Sequence, residues 1–375
     1  MAAQKEPTPQ QLFPLAGSDA KLKITVQVKR PTFESGQIIG NGKFVVRKTI
    51  NEGGFGVVYQ VSPVNELSKN YAFKLALTKK PGMDQLVKME VGLLRRLSNI
   101  SKGFPDYISS GTIDGFFYIV MELLGPPLAD LLLFMSDEKF SISTAIRIGL
   151  QIIDAIEKMH GFYFIHRDIK PGNMAIGLKE PRQIYLFDFG LARRFVQKST
   201  KNNKLDFRQE RAKVPFRGTY HYCSIQQHKL KDACRRDDLW SLMYTLIEFT
   251  AGSLPWEHSR DRHVIEKMKQ ETPPAILLQA LLKYLDKLNF KSRPSYDFFR
   301  EAFRLIMRAR NFNESDSFDW EMVSKSAPSA RPPRSVSQKA VLNRGSNESI
   351  ISDSTDPKSS DQAIDANLSE KSVEE

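Results

Sequence analysis

The sequence predicts an α+β fold in which strands and helices are segregated along the chain, and three patterns predict it. Between Phe44 and Glu122, β-branched and aromatic residues recur in short runs around a glycine-rich turn, as strands do. One amphipathic helical stretch, Gln85 to Leu94, interrupts them. From Ile142 to Phe162, Asp237 to Ala251 and Ile276 to Leu288, apolar residues instead recur three and four apart, the spacing that gives a helix one apolar face. A chain of 375 residues has ample length for a core.

In order, the alternating run Phe44-Val45-Val46-Arg47-Lys48-Thr49-Ile50 leads into Asn51-Glu52-Gly53-Gly54-Phe55-Gly56-Val57-Val58-Tyr59, which reads strand, turn, strand. A dinucleotide-binding turn would open a helix after its glycines, so the context excludes it. Taken alone, the segment also fits a plain hairpin. Tyr71-Ala72-Phe73-Lys74-Leu75 is a further strand, and the helix after it carries Glu90. Phe116 to Glu122 reads as an apolar strand containing Met121, followed by the connector Glu122-Leu123-Leu124-Gly125.

Two downstream segments carry the chemistry: His166-Arg167-Asp168-Ile169-Lys170-Pro171-Gly172-Asn173, and Asp188-Phe189-Gly190. Phosphoryl transfer needs one carboxylate to take the hydroxyl proton, a second to hold magnesium against the phosphates, and an amide oxygen to complete the metal shell. Asp168, Asp188 and Asn173 are of those three types. In this order and between apolar runs, the segments resemble the catalytic and metal loops of eukaryotic-type protein kinases.

That resemblance implies a bilobal kinase fold: a small β-rich N-lobe with one main helix (residues 42–121), a hinge (122–125) and a larger, mainly helical C-lobe (126–322). It also implies ATP and Mg2+ as cofactors. Gly53, Gly54, Phe55 and Gly56 would close over the nucleotide, with Val58, Ala72, Met121, Glu122 and Leu124 around the adenine. Lys74, paired with Glu90, would position the phosphates, Asn173 and Asp188 would hold metal, and Asp168 would orient the acceptor hydroxyl. Lys170, two residues after Asp168, follows the serine/threonine pattern. Asp238 is similar to the family aspartate that braces the catalytic-loop backbone, and a helix N-cap is its other reading. Asn51 replaces the first glycine of the family loop, and asparagine tolerates unusual backbone angles.

Met121-Glu122-Leu123-Leu124-Gly125-Pro126, Asp188 to Arg194 and Arg235 to Leu242 resemble the casein kinase one group. Phe216-Arg217-Gly218-Thr219, Leu254-Pro255-Trp256 and Phe318-Asp319-Trp320-Glu321 resemble its tau-tubulin kinase branch. Ser224-Ile225-Gln226 stands where most kinases have Ala-Pro-Glu, so Arg293, whose usual partner is that Glu, is assigned no role. The group places an arginine two residues after the Gly-Thr of the activation segment to bind a phosphorylated substrate. Here that position is His221, so recognition of primed substrates is in doubt unless Lys213, Arg217, Arg260 and Arg262 supply the charge.

The net charge is +12, yet residues from Val323 onward carry seven Lys and Arg against eight Asp and Glu, which leaves +13 upstream. Such a field favours anionic partners: acidic or phosphorylated Ser/Thr protein substrates and acidic microtubule proteins. Nucleic acid is disfavoured because no nucleic-acid motif accompanies the charge. Two cysteines fit a reducing compartment and give no disulfide framework. Neither a signal peptide nor an apolar run of membrane-spanning length is read, so the cytoplasm is the expected location, with the nucleus as a second. A monomer is the expected state. Residues 1–41 read as a partly disordered extension with a strand-like run from Lys21 to Val28. Residues 323–375 read as a disordered Ser-rich tail, in which Ser346, Ser349, Ser352 and Thr355 form a three-residue ladder suited to autophosphorylation. The reading is a casein kinase one-like serine/threonine kinase. Its rivals are a pseudokinase scaffold and a basic microtubule-binding module.

Overall fold

Six antiparallel strands and a helix form the first lobe. In this computed structural model the described residues are 30–53, 56–76, 83–199, 202–273 and 276–326. Strands β1 (Ile38–Ile39), β2 (Phe44–Gly53), β3 (Gly56–Pro63), β4 (Tyr71–Ala76), β5 (Tyr107–Ile113) and β6 (Phe116–Glu122) pair in the order β1-β2-β3-β4-β6-β5. Helix α1 (Met83–Ser98) lies between β4 and β5 in the chain. Period-two alternation sorts β4 into two faces: Phe73 and Leu75 are fully buried, whereas Ala72 and Lys74 are half-buried. Phe73 stacks on Tyr118 at 4.5 Å in a small core with Val46, Val61 and Val120. Cross-strand partners share a face. Val58 opposes Lys74 and Ala72 opposes Met121, so these four side chains lie on the face away from that core.

The second lobe is helical: α2 (Leu128–Leu132), α3 (Ile142–Gly161), α4 (Ile225–His228), α5 (Arg235–Ala251), α6 (Arg262–Glu271), α7 (Ile276–Asp286), α8 (Tyr296–Ala309) and α9 (Asp319–Ser326). Three short ladders lie among them: β7 (Phe164–Ile165) with β10 (Arg193–Arg194), β8 (Met174–Ile176) with β9 (Ile184–Leu186), and β11 (Val196–Lys198) with β12 (Leu205–Phe207). Ser141 caps α3 by accepting from the Thr144 amide. Ile148, Ile152 and Ile156 of that helix enter one core with Leu242 and Phe249 of α5 and with Phe299 and Phe303 of α8.

The boundaries differ from the sequence reading at both ends. Ile39 is buried in the N-lobe core and β1 pairs with β2, so the lobe begins before residue 42. At the other end α9 runs to Ser326, past residue 322. Asp319 there accepts from the Ser141 amide (2.6 Å) and hydroxyl (2.8 Å), while Trp320 packs edge-on against Phe140. Glu122 closes β6 and does not open the connector. Gly54, Phe55, the Lys21–Val28 run and the Ser-rich ladder lie outside the described residues.

Candidate active site

Lys74, on the inward face of β4, donates to Glu90 Oε1 from α1 and to Asp188 Oδ1, each at 2.7 Å. Burial would drive the ammonium neutral, but Asp188 and Glu90 outweigh it and raise its pKa above the usual lysine range. The two acids respond in opposite directions. Burial raises Glu90, whereas the Lys74 contact overcomes burial at Asp188 and lowers it. The N-lobe is thereby tied to the C-lobe loop.

The catalytic loop is held from below. Asp238 Oδ2 accepts from the His166 amide and Oδ1 from the Arg167 amide, both at 2.8 Å, and Oδ2 also meets His160 Nε2 at 2.8 Å. His160 Nδ1 lies 2.7 Å from the Tyr296 hydroxyl. The N-cap of α5 is Cys234, so capping is not the work of Asp238. Arg167 (φ +70°) and Asp188 (φ +64°) are both left-handed, a conformation that costs a non-glycine residue about 1–3 kcal/mol and persists where its surroundings enforce it. His166 Nε2 donates to the Phe187 carbonyl at 3.2 Å, while Phe189 packs between His166 and Phe104.

Around Asp168 the contacts close into a ring. Its Oδ1 accepts from Thr219 Oγ1 at 2.7 Å, its Oδ2 lies 2.9 Å from Lys170 Nζ, and Lys170 also reaches Thr219 Oγ1 at 2.9 Å. Asn173 Nδ2 donates to the Asp168 carbonyl (2.8 Å) and to Oδ2 (3.1 Å). Gly218 permits this approach: its φ is +113°, and a Cβ there would stand 2.6 Å from the Arg167 carbonyl. Gly56 is similar, since a Cβ would lie 2.1 Å from the Leu75 carbonyl.

The residues predicted to serve phosphoryl transfer therefore converge: Lys74, Glu90 and Asp188 in one cluster, Asp168, Lys170 and Asn173 in the next. Val58, Ala72 and Met121 share the face of Lys74. Glu122 turns its carboxylate to the Asp106 amide (3.2 Å) and Tyr185 (3.4 Å), and its own amide is taken by the Asp106 carbonyl. Gly125, beside Leu124, is pinned to the Ile176 carbonyl. With the Asn173 amide nitrogen committed to Asp168, its oxygen and the Asp188 carboxylate are hard oxygen donors suited to magnesium. No cluster of three or more His, Cys, Asp or Glu side chains that could hold a metal occurs among the described residues. Magnesium commonly takes one or two protein ligands, with phosphates and water for the rest.

The sequence reading missed Thr219 as a partner of Asp168, 51 residues away, and missed His160 and Tyr296. It also gave no sign of where the His221 ring turns. The ring is buried, and Nε2 donates to the Glu257 carbonyl at 3.1 Å. Burial lowers its pKa further, so it presents no charge to a phosphate. Of the compensating cations, Arg217 lies near Arg167, whereas Arg262 lies near Tyr220. Arg293 is exposed, with Glu157 the nearest acid at 3.7 Å.

The protein kinase domain family matches residues 44–325, three quarters of the chain. This chain belongs to the protein kinase family. Its kinase domain is of the serine/threonine class. A Dictyostelium discoideum protein named as a serine/threonine-protein kinase is 36% identical over 306 residues, 79% of this chain and 60% of the relative. A Caenorhabditis elegans protein named likewise is 33% identical over 314 residues, 81% of this chain and 89% of the relative. Protein kinases as a family use ATP and Mg2+, which agrees with the donor set of this kinase.

Proposed function

We propose that this kinase is catalytically active and transfers the γ-phosphoryl group of ATP to Ser and Thr hydroxyls of proteins, with casein kinase one-like specificity of the tau-tubulin branch. The observation that carries activity is the Lys74–Glu90 ion pair at 2.7 Å, because that pair must be in place to position the phosphates, with the Asp188 carboxylate held beside it at 2.7 Å from Lys74. Bound MgATP supplies the phosphoryl group and neutralises its charge. Lys74 orients the phosphates, and Asn173 and Asp188 hold the cation. Asp168 takes the acceptor hydroxyl's proton, while Lys170 balances charge on the group in flight.

Two observations favour unprimed acidic substrates. The region before Val323 carries +13, and His221 is turned inward where the group has a phosphate-binding arginine. Acidic microtubule proteins are a candidate substrate class on the same charge argument, and a reducing compartment such as the cytoplasm suits the two unpaired cysteines. The deciding assay is phosphate incorporation into casein by the full chain and by Asp168→Asn. Equal incorporation, or ATP binding without turnover by the parent, returns the kinase to the scaffold reading.

A further inference from the structure

Lys269 is a buried ammonium that the mechanism above does not use. It projects from α6 and is 6% exposed, and its charge is opposed by burial with no carboxylate among the groups that act on it in the described residues. Its three N–H groups meet three neutral acceptors: the Tyr220 carbonyl (2.7 Å), the Cys223 carbonyl (2.7 Å) and His228 Nε2 (3.3 Å). The charge lies against the rings of Tyr244 (4.6 Å) and Trp256 (5.3 Å), an arrangement that favours a cation.

The captured carbonyls belong to the segment that reaches Asp168 through Thr219. Trp256 Nε1 donates to the His221 carbonyl at 2.9 Å, so Lys269 and Trp256 together hold the carbonyls of residues 220, 221 and 223. No acid is available for this task at Gln226, and Arg293 lies elsewhere, exposed. Building on the assignment of kinase activity, we infer that Lys269 is a positioning residue: its ammonium tethers the 219–224 segment to α6 and sets the platform on which the protein substrate docks beside Asp168.

Titration offers a readout. Burial pulls Lys269 down to about 8, and burial also pulls His228 to about 3, which keeps its Nε2 an acceptor. The other titratable groups around it and the segment are Tyr220, His221, Tyr222 and Cys223, Arg262 of α6, and Tyr244 and Glu248 of α5. Glu248, bonded to Tyr222 and raised to about 7, titrates alike in parent and variants, so the Lys269 step is the difference between them. His221 is lowered and Cys223 is pushed up to about 11, so neither changes charge near pH 8. Loss of the Lys269 proton removes one of three donors and the cation that the rings hold.

The test compares parent, Lys269→Met and Lys269→Arg across pH 6.5–9.5. In the parent, KM for a peptide substrate should rise as pH passes about 8 while KM for ATP stays level. Lys269→Met should show at least a tenfold higher peptide KM at neutral pH with ATP KM within twofold, and no alkaline inflection. Lys269→Arg, which stays charged, should recover part of the peptide KM and also lack the inflection. Amide hydrogen exchange over 219–224, read in the parent and in Asp168→Asn, should accelerate with Lys269→Met. That measurement needs no turnover, so absent phosphotransfer would remove the activity assignment and leave the tether judged on exchange alone. Unchanged exchange, or equal shifts in both KM values, would overturn the inference.

Discussion

Thr219 donates its hydroxyl hydrogen to Asp168 Oδ1 at 2.7 Å, across 51 residues of sequence. Thr219 Oγ1 in turn accepts from Lys170 Nζ at 2.9 Å, so one hydroxyl fixes the distance between the Asp168 carboxylate and the cation beside it. Thr219→Val keeps the shape and removes both bonds. Its kcat should fall about 10- to 100-fold, within the range of lost positioning at a general base, with ATP KM little changed. Thr219→Ser should recover most of it. Steady-state kinetics decide, and a Val variant within twofold of the parent would deny Thr219 this part.

Lys74→Met and Asp188→Ala should each reduce phosphotransfer by about 100-fold or more, since these groups act by charge and position. Each variant should still melt cooperatively, because both side chains sit at the edge of the core. A thermal melt beside the casein assay checks this, and activity within about tenfold of the parent in Asp188→Ala would end its assignment as a metal ligand.

Asp238→Asn replaces an acceptor of three buried hydrogen bonds with a group that can satisfy only part of them. A loss of about 2–4 kcal/mol is expected, on the scale of a disrupted buried charged network. Urea midpoints at constant slope would measure it. A loss below about 0.5 kcal/mol would mean that the His166 and Arg167 amides find other partners.

Asp232 lies among the activation-segment arginines, with Arg211 bidentate at 3.0 and 3.2 Å and Arg193 at 3.9 Å. These pairs overcome the effect of burial and lower its pKa, so a fixed negative charge already sits beside the basic group that includes Arg167. Phosphatase-treated protein should therefore keep its casein activity, and Asp232→Ala should lose several-fold. If phosphatase treatment abolishes activity and an upstream kinase restores it, the carboxylate does not substitute for phosphate.

Glu248 is raised to about 7 by burial and accepts from the Tyr222 hydroxyl at 2.7 Å. The folded state thus binds a proton that the unfolded chain has released. This contribution to stability is complete below about pH 4.5 and is lost as pH rises through about 7. Glu248→Gln keeps an acceptor and removes the titration, so at pH 8 it should melt a few degrees above the parent, and at pH 5 the two should converge. Parallel melting curves at both pH values would contradict the shift.

Much of the site was legible because its residue types sit in local patterns. Alternation placed Lys74 opposite in orientation to Phe73, and the spacing of Asp168, Asn173 and Asp188 reports one loop and the turn after it. Strand and helix types followed from periods of two and 3.6 residues, which depend only on neighbours in the chain. The relations among distant residues were not legible. Nothing near Thr219 indicates that it meets Asp168, nothing near Lys269 indicates three carbonyl and imidazole acceptors, and His221 gives no sign that its ring turns inward to Glu257. Sequence by itself determined the fold class through local periodicity, and resemblance to the protein kinase motifs named the candidate catalytic groups, because motifs reside in neighbouring residue types. Only the tertiary structure decided which groups touch, because side-chain contacts across 50 or more residues depend on how helices and loops pack, and packing is a property of the whole core.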